Sequence, residues 1–156
     1  MRNHIIMLIY FTSAALIGEA KPPAREPFGS ALDRFATTYL QQCEEIMREL
    51  PVNYPEKDRD FENLSVYLRN IKTDDIPAIR RVLKEGKEAF DLPHWLRRLT
   101  TDIIGFRRVL DQLIIENLSN NNLYLERQFK AKLKKYWDDE RYYSLYFNNE
   151  ADLIEK

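Results

Sequence analysis

An apolar stripe in the segment Pro93–Leu118 constrains the fold of this chain more than any other feature of its sequence. Its members recur every three or four residues, the spacing of one face of an α-helix: they are Leu92, Leu96, Leu99, Ile103, Phe106, Leu110 and Leu113. Ile104, Ile114 and Ile115 widen the stripe, so this helix has to be covered on more than one side. Gly105, in its middle, is the place where we expect a kink or a break.

The same helical spacing occurs in shorter segments, and it predicts helices over 30–50, 56–71, 76–90 and 123–137, with a short further helix in the aromatic segment 142–147. Prolines and cap residues, among them Pro51, Pro55 and Thr73-Asp74-Asp75, separate the segments. No segment alternates apolar and polar residues in a sustained way, and four glycines in all disfavour β-hairpins. The predicted fold is therefore all-α, a single domain of about five to six antiparallel helices arranged as a bundle or a capsule.

Most of the predicted helices have a recognisable inner face. The face of the first helix holds Leu32, Phe35, Tyr39, Cys43, Ile46 and Leu50. The face of the 76–90 helix holds Ile79, Val82, Leu83 and Phe90, although Gly86 weakens that helix.

The first twenty residues have the composition of a secretory signal peptide. Arg2 supplies a positive charge, the apolar stretch Ile5–Ile17 follows, and Gly18 and Ala20 are small residues at the usual spacing before a cleavage site. The apolar stretch is shorter than the roughly 20 residues of a membrane span. We therefore expect a secreted, extracellular protein, with a signal peptide over 1–20, an extended proline-rich leader over 21–29, the helical domain over 30–147 and a polar C-terminal tail over 148–156.

A single cysteine, Cys43, excludes an intrachain disulfide, so stability has to come from apolar packing. Its place on an inner helix face favours a buried free thiol, with an intermolecular disulfide or a reactive thiol as the alternative. The formal net charge of −1 predicts no nucleic-acid binding by the whole domain. The basic segment Arg127–Trp137 is followed directly by Asp138, Asp139 and Glu140, which favours a solvated face and leaves contact with a membrane surface open.

Residues that commonly carry catalysis are scarce. Once the signal peptide is removed, Cys43 and His94 are the remaining thiol and imidazole, and each has an ordinary structural explanation. The carboxylates fall on polar helix faces beside lysine and arginine, the pattern of a solvated surface rather than of an acid–base pair. No phosphate-binding loop, metal-ligand spacing or nucleotide fingerprint occurs in the sequence. We therefore predict a protein that is not an enzyme, with no catalytic residues, no cofactor and no metal site.

Two acceptor sequons for N-linked glycans become meaningful if the chain is secreted. They are Asn63-Leu64-Ser65 and Asn117-Leu118-Ser119. Asn117 lies at the predicted junction of a helix and a loop, and Asn63 lies opposite the inner face of its helix. Both asparagines are therefore candidate glycosylation sites.

The width of the apolar stripe in Pro93–Leu118 has two interpretations. The stripe can fill the core of an ordinary bundle, or it can line a cavity for a lipid or another small hydrophobic ligand. On the second interpretation, the candidate ligand-binding residues are Leu96, Leu99, Ile103, Phe106, Leu110 and Leu113.

Several short motifs resemble those of a known family. Trp95-Leu96, Asp102-Ile103-Ile104-Gly105-Phe106 and Leu110-Asp111 with Leu113 are similar to the central motif of the insect allergen-related repeat proteins, which are secreted midgut microvillar and nitrile-specifier-like proteins. The upstream pairs Asp60-Phe61 and Tyr67-Leu68 are similar to a second helix of that family, whereas Thr101 stands where the family usually has glycine. The resemblance implies an all-helical capsule around an apolar cavity that holds fatty acyl chains or phospholipid. It implies no catalytic residues, and it places Leu96, Ile103, Phe106, Leu110 and Leu113 in the cavity lining.

Two functional hypotheses follow from the sequence. The first is a secreted, non-catalytic helical protein that binds a lipid or fatty acid in its apolar interior. The second is a secreted helical-bundle ligand or effector, similar to a cytokine, that acts on a protein receptor. The absence of disulfides counts modestly against the second hypothesis, because secreted ligands of this size commonly contain them.

Overall fold

The computed structural model of the protein describes residues 26–50, 58–86, 91–119 and 129–156. Every regular element in these ranges is helical and none is a strand, so the predicted all-α class is confirmed. The predicted signal peptide, most of the proline-rich leader and the segment 120–122 lie outside the described residues. None of the helices in the four ranges combines the length and the apolarity that crossing a bilayer requires.

Four continuous helical runs occupy these ranges. The first consists of α1 (Phe28–Arg34), a first π-turn (Phe35–Tyr39) and α2 (Leu40–Glu49). The second consists of α3 (Asp58–Asn70), a second π-turn (Ile71–Asp75) and α4 (Ile76–Glu85). The third is α5 (Leu92–Ser119), and the fourth is α6 (Phe129–Glu155).

The described ranges thus hold fewer and longer helical runs than the five to six helices predicted. The break expected at Thr73-Asp74-Asp75 is absent, because the second π-turn carries the chain through that segment. A π-turn takes in one more residue than an α-turn while its backbone stays hydrogen-bonded, and here the N–H of Ile76 donates to the carbonyl of Ile71.

The break expected after Trp137 is absent as well. α6 continues through the aromatic segment 142–147 and through most of the segment 148–156, which we expected to be a polar tail. The helix persists because one face stays buried along its whole length, through Phe129, Leu133, Tyr136, Glu140, Tyr143, Phe147 and Ala151.

The helix predicted over 76–90 ends early, at Glu85. Gly86 follows in the left-handed region with φ of 64°, and its N–H donates to the carbonyl of Val82 at 3.0 Å. Glycine reaches this conformation without steric cost, so it caps the helix here instead of lying inside it. The prediction for Leu83 is also wrong, because its side chain is exposed, whereas Ile79 and Val82 are buried as expected. Phe90 lies outside the described residues.

The chain divides between Asp33 and Arg34 into two compact units, and all contacts below belong to the second unit, Arg34–Lys156. Within this unit α5 packs most extensively against α6 and next against α3. α5 runs through Gly105 without the expected break. The long apolar helix is therefore covered on more than one side, as its sequence requires.

Candidate functional site

The six candidate ligand-binding side chains on α5 lie together on one face and are all buried. Five have no solvent-accessible surface, and Leu113 is 4% exposed: the set is Leu96, Leu99, Ile103, Phe106, Leu110 and Leu113. A side chain that borders a void as large as a water molecule retains some accessible surface against that void. Such burial is the arrangement expected of side chains in a packed core.

An aromatic cluster fills the interior next to this face. The ring of Phe106 lies 6.0 Å from that of Tyr136, and the ring of Tyr136 lies 5.6 Å from that of Tyr39. Phe35 stacks on Tyr39 at 4.8 Å and meets Phe147 edge to face at 5.3 Å. Aromatic pairs in these geometries add to the gain from burial alone, so the cluster joins the first π-turn, α5 and α6 into one core.

The core contains a polar contact between two tyrosines. The hydroxyl oxygens of Tyr39 and Tyr136 are 3.0 Å apart, and both rings are fully buried. Burial raises the pKa of both phenols well above the ordinary value, because the charged form would lack water. The two hydroxyls therefore stay neutral, and one donates a hydrogen bond to the other inside the apolar cluster.

The opposite side of α6 exposes large apolar side chains. Tyr142, Leu145, Tyr146, Asn149 and Leu153 lie on one face of the helix, which we call the outer face of α6. Leu145 is 52% exposed and Leu153 is 48% exposed. The rings of Tyr142 and Tyr146 stack at 6.0 Å, and the guanidinium of Arg34 lies 5.4 Å from the centre of the Tyr142 ring.

An arginine on α5 holds the C-terminal part of α6. Arg97 donates to Asn148 Oδ1 at 3.0 Å, to Asp152 Oδ1 at 2.8 Å and to Glu155 Oε1 at 3.2 Å. These acceptors lie on successive turns of α6, so the hydrogen bonds of one guanidinium extend over about two turns of the helix. The outer face is thereby presented on an anchored helix.

A second set of polar groups lies between α5 and the middle of α6. Arg107 Nε is 3.3 Å from Glu140 Oε1, and Trp137 Nε1 donates to Asp111 Oδ1 at 2.8 Å. Glu140 is nearly inaccessible to solvent. Burial raises the pKa of Glu140 to about 7, although the charge of Arg107 opposes the rise.

Two further carboxyl groups meet where the second π-turn packs on α5. Asp75 is completely buried, and Asp102 is 7% exposed. Arg98 approaches with its Nε 3.4 Å from Asp75 Oδ1, and its guanidinium also lies over the ring of Trp95 at 5.3 Å. Burial first, and then the neighbouring carboxyl group of Asp102, raise the pKa of Asp75 to about 8.

The sequence interpretation missed these buried carboxyls because it assigned all carboxylates to solvated faces. A signal for them exists in the helical register. Asp75 lies four residues after Ile71 and four before Ile79, and Glu140 lies four after Tyr136. An acid on an apolar stripe predicts a buried carboxyl rather than a surface one.

The other candidate residues lie apart from these groups. Asn63 is exposed on α3, which suits a glycan, whereas the side chain of Asn117 lies outside the described residues. Cys43 is a free thiol with no accessible surface, and burial raises its pKa far above the ordinary value. His94 is exposed at the start of α5, beside Trp95.

Within the four described ranges, no three histidine, cysteine, aspartate or glutamate side chains come together as metal ligands. Burial raises the pKa of Asp75 and of Glu140, and the outer face of α6 exposes apolar side chains to solvent. No protein-family model, curated protein or solved structure matches the chain. The function therefore has to be inferred from these surfaces and contacts.

Proposed function

We propose that the chain is a secreted helical protein that acts on a protein partner through its surface, and that the helices of Arg34–Lys156 form an antiparallel bundle around a packed core. One observation carries this proposal. The α5 side chains expected to line a lipid cavity have almost no accessible surface, which supports a filled interior. Secretion rests on the composition of the first twenty residues.

The outer face of α6 is the surface that best fits a protein partner. Leu145 and Leu153 each expose about half of their side chains, and burying such apolar area against a partner is favourable. Tyr142 and Tyr146 lie on the same face, and tyrosine is enriched at the centres of protein interfaces.

The attachment of α6 supports the same role. The grip of Arg97 on Asp152 and Glu155 and the aromatic packing of Phe147 hold this part of the helix against the core. A rigid helix loses little conformational entropy when it binds, so an apolar face presented on it can bind with useful affinity.

Native mass spectrometry tests whether the interior is filled. The protein is secreted from a eukaryotic host, deglycosylated, and weighed before and after solvent extraction. We expect the mass of the polypeptide alone and no binding of a fluorescent fatty-acid probe. A fatty acid or phospholipid that copurifies at near-stoichiometric amounts contradicts the proposal and supports the lipid-binding capsule.

A pair of surface variants tests the outer face of α6. The wild-type protein is first screened against a panel of cell-surface receptor ectodomains. We expect the double change Leu145→Asp and Leu153→Asp to abolish binding to any ectodomain that binds the wild type, while the circular dichroism spectrum stays helical. Leu83→Asp on α4 is the matched control, because Leu83 is a similarly exposed leucine on another helix. Equal loss of binding in the control and the double variant contradicts the assignment of this face.

A further inference from the structure

The buried pair Asp75 and Asp102 joins the second π-turn to α5, and the charged groups Arg98 and Asp74 lie beside it. From α5, Arg98 Nε lies 3.4 Å from Asp75 Oδ1. From the π-turn itself, Asp74 faces the pair, and its Oδ2 lies 3.8 Å from Arg98 Nη2. Lys72, in the same turn, is paired with Glu44 of α2.

The hydrogen bonding of this pair is incomplete if both carboxyls are ionised. Both oxygens of Asp75 and Oδ2 of Asp102 are buried without a hydrogen-bond donor. Ionised carboxylates only accept hydrogen bonds, so two of them side by side repel each other and cannot satisfy each other. The side chain of Arg98 is 44% exposed, so solvent weakens the attraction between its charge and the pair.

One proton removes both problems. A protonated carboxyl is a donor, and its O–H can bond to the remaining carboxylate. The pair then carries one negative charge instead of two, and that charge faces Arg98. A shared proton would thus supply a hydrogen bond between carboxyl groups whose oxygens otherwise lack a donor.

We propose that Asp75 and Asp102 share one proton, and that this proton fastens the second π-turn and α4 to α5 in acidic and neutral surroundings and is lost in alkaline ones. The fastened segment is Ile71–Glu85, which follows the second π-turn into α4. The device is separate from the partner surface proposed above, because the second π-turn and α4 pack on α5, whereas the partner surface lies on the outer face of α6.

The direction of the pH dependence follows from linkage. In the unfolded chain the pKa of an aspartate is about 3.9, whereas the pKa of Asp75 in the folded chain is raised to about 8. Between these values the folded state holds a proton that the unfolded state has released, so the free energy of unfolding falls as the pH rises. For one such proton the unfolding equilibrium constant rises by up to about tenfold per pH unit, and the rise ends above the folded pKa.

Asp75→Asn is the main test, because an amide can donate to Asp102 as a protonated carboxyl does but cannot lose that donor. Urea unfolding is measured from pH 6 to pH 9 for both proteins. We expect similar midpoints at pH 6, and an unfolding constant of the wild-type protein that rises about tenfold or more relative to the variant by pH 9. Amide hydrogen exchange in Ile71–Glu85 should rise in the wild type relative to the variant over the same range.

Two controls isolate the pair. Asp74→Asn changes the neighbouring exposed carboxylate and should keep the wild-type pH profile. Glu140→Gln removes a different buried carboxyl group whose pKa is also raised, and it should retain the pH dependence between pH 7 and pH 9 that Asp75→Asn removes. Parallel profiles for the wild type and Asp75→Asn overturn the proposal.

A direct titration keeps the proposal testable if Asp75→Asn does not fold. Carboxyl-carbon resonances of the wild-type protein should show one aspartate of the pair that remains protonated at pH 7 and titrates near pH 8. Complete ionisation of both Asp75 and Asp102 below pH 5 overturns the shared proton.

Discussion

The ring of Tyr67 on α3 packs directly over the α-carbon of Gly105 on α5. A Cβ placed on Gly105 would lie 2.5 Å from Cε1 and 2.6 Å from Cζ of that ring, closer than any real contact. The absence of a side chain at Gly105 therefore allows the aromatic ring to pack against the backbone of α5, and the helix continues through Gly105 without a break. The close approach brings α3 onto the same helix that α6 covers from another side.

Gly105→Ala should destabilise the protein by about 1 kcal/mol. Alanine favours a helix over glycine by about 1 kcal/mol, but displacing a packed ring typically costs about 1–3 kcal/mol. Urea unfolding of four proteins checks this, with Tyr67→Ala as the second background. In that background the same change should stabilise the protein, because the ring is gone; stabilisation in both backgrounds would show that the ring moves freely.

Phe106→Ala should cost about 3–5 kcal/mol of unfolding free energy, the usual loss for an aromatic side chain removed from a packed core. Phe106 has no accessible surface and contacts Tyr136. Leu145→Ala, on the exposed side of α6, is the control and should change stability by less than about 0.5 kcal/mol. A loss below about 1 kcal/mol at Phe106 would indicate that its ring borders a void.

Tyr39→Phe should destabilise the protein by about 1–3 kcal/mol, because it takes the buried Tyr136 hydroxyl's partner away. Replacing both tyrosines by phenylalanine removes both polar groups, so the double variant should lose less than the sum of the two single losses. Thermal and urea unfolding of the three variants measure the coupling. Additive losses would show that the hydroxyls do not depend on each other.

Glu140 should make the protein less stable as the pH rises from about 4.5 to about 7. Its pKa is raised to about 7 in the folded state by burial, so the folded chain holds a proton that the unfolded chain loses near pH 4.5. Glu140→Gln should reduce the change of the urea midpoint with pH over this interval. Asp138→Asn, two residues earlier on α6, is the control and should keep the wild-type dependence of the urea midpoint on pH. An unchanged pH dependence in Glu140→Gln contradicts the raised pKa of Glu140.

Cys43 should resist thiol reagents in the native protein. It has no accessible surface, and its raised pKa leaves almost no thiolate, which is the reactive form. We expect modification at least about a hundredfold slower than in urea, and no shift of the melting temperature with reductant. Rapid stoichiometric modification, or a dimer on a non-reducing gel, would place the thiol at the surface.

The helical register could be inferred from the sequence because it depends on local spacing. The stripe from Phe35 to Ile46 and the α5 stripe from Leu96 to Leu113 are buried as their three-to-four spacing predicts. The joints between helices could not be inferred in this way. Thr73-Asp74-Asp75 has the composition of a cap, yet tertiary packing of Asp75 against α5 keeps the chain helical through a π-turn.

The buried carboxyl groups likewise depend on tertiary packing rather than on local sequence. On an isolated helix, Asp75, Asp102 and Glu140 are ordinary acids, and their composition alone indicates a solvated face. The pKa values of Asp75 and Glu140 rise only because tertiary packing removes water from these two carboxyl groups, and at Glu140 the charge of Arg107 opposes that rise.

The sequence by itself determined that this protein is all-α and which face of each long helix is apolar, because both follow from residue spacing along one chain. The tertiary structure decided that Leu83 is exposed, that Gly105 receives the ring of Tyr67, and that Asp75 meets Asp102. These features depend on contacts between residues far apart in sequence, which are set by how whole helices pack.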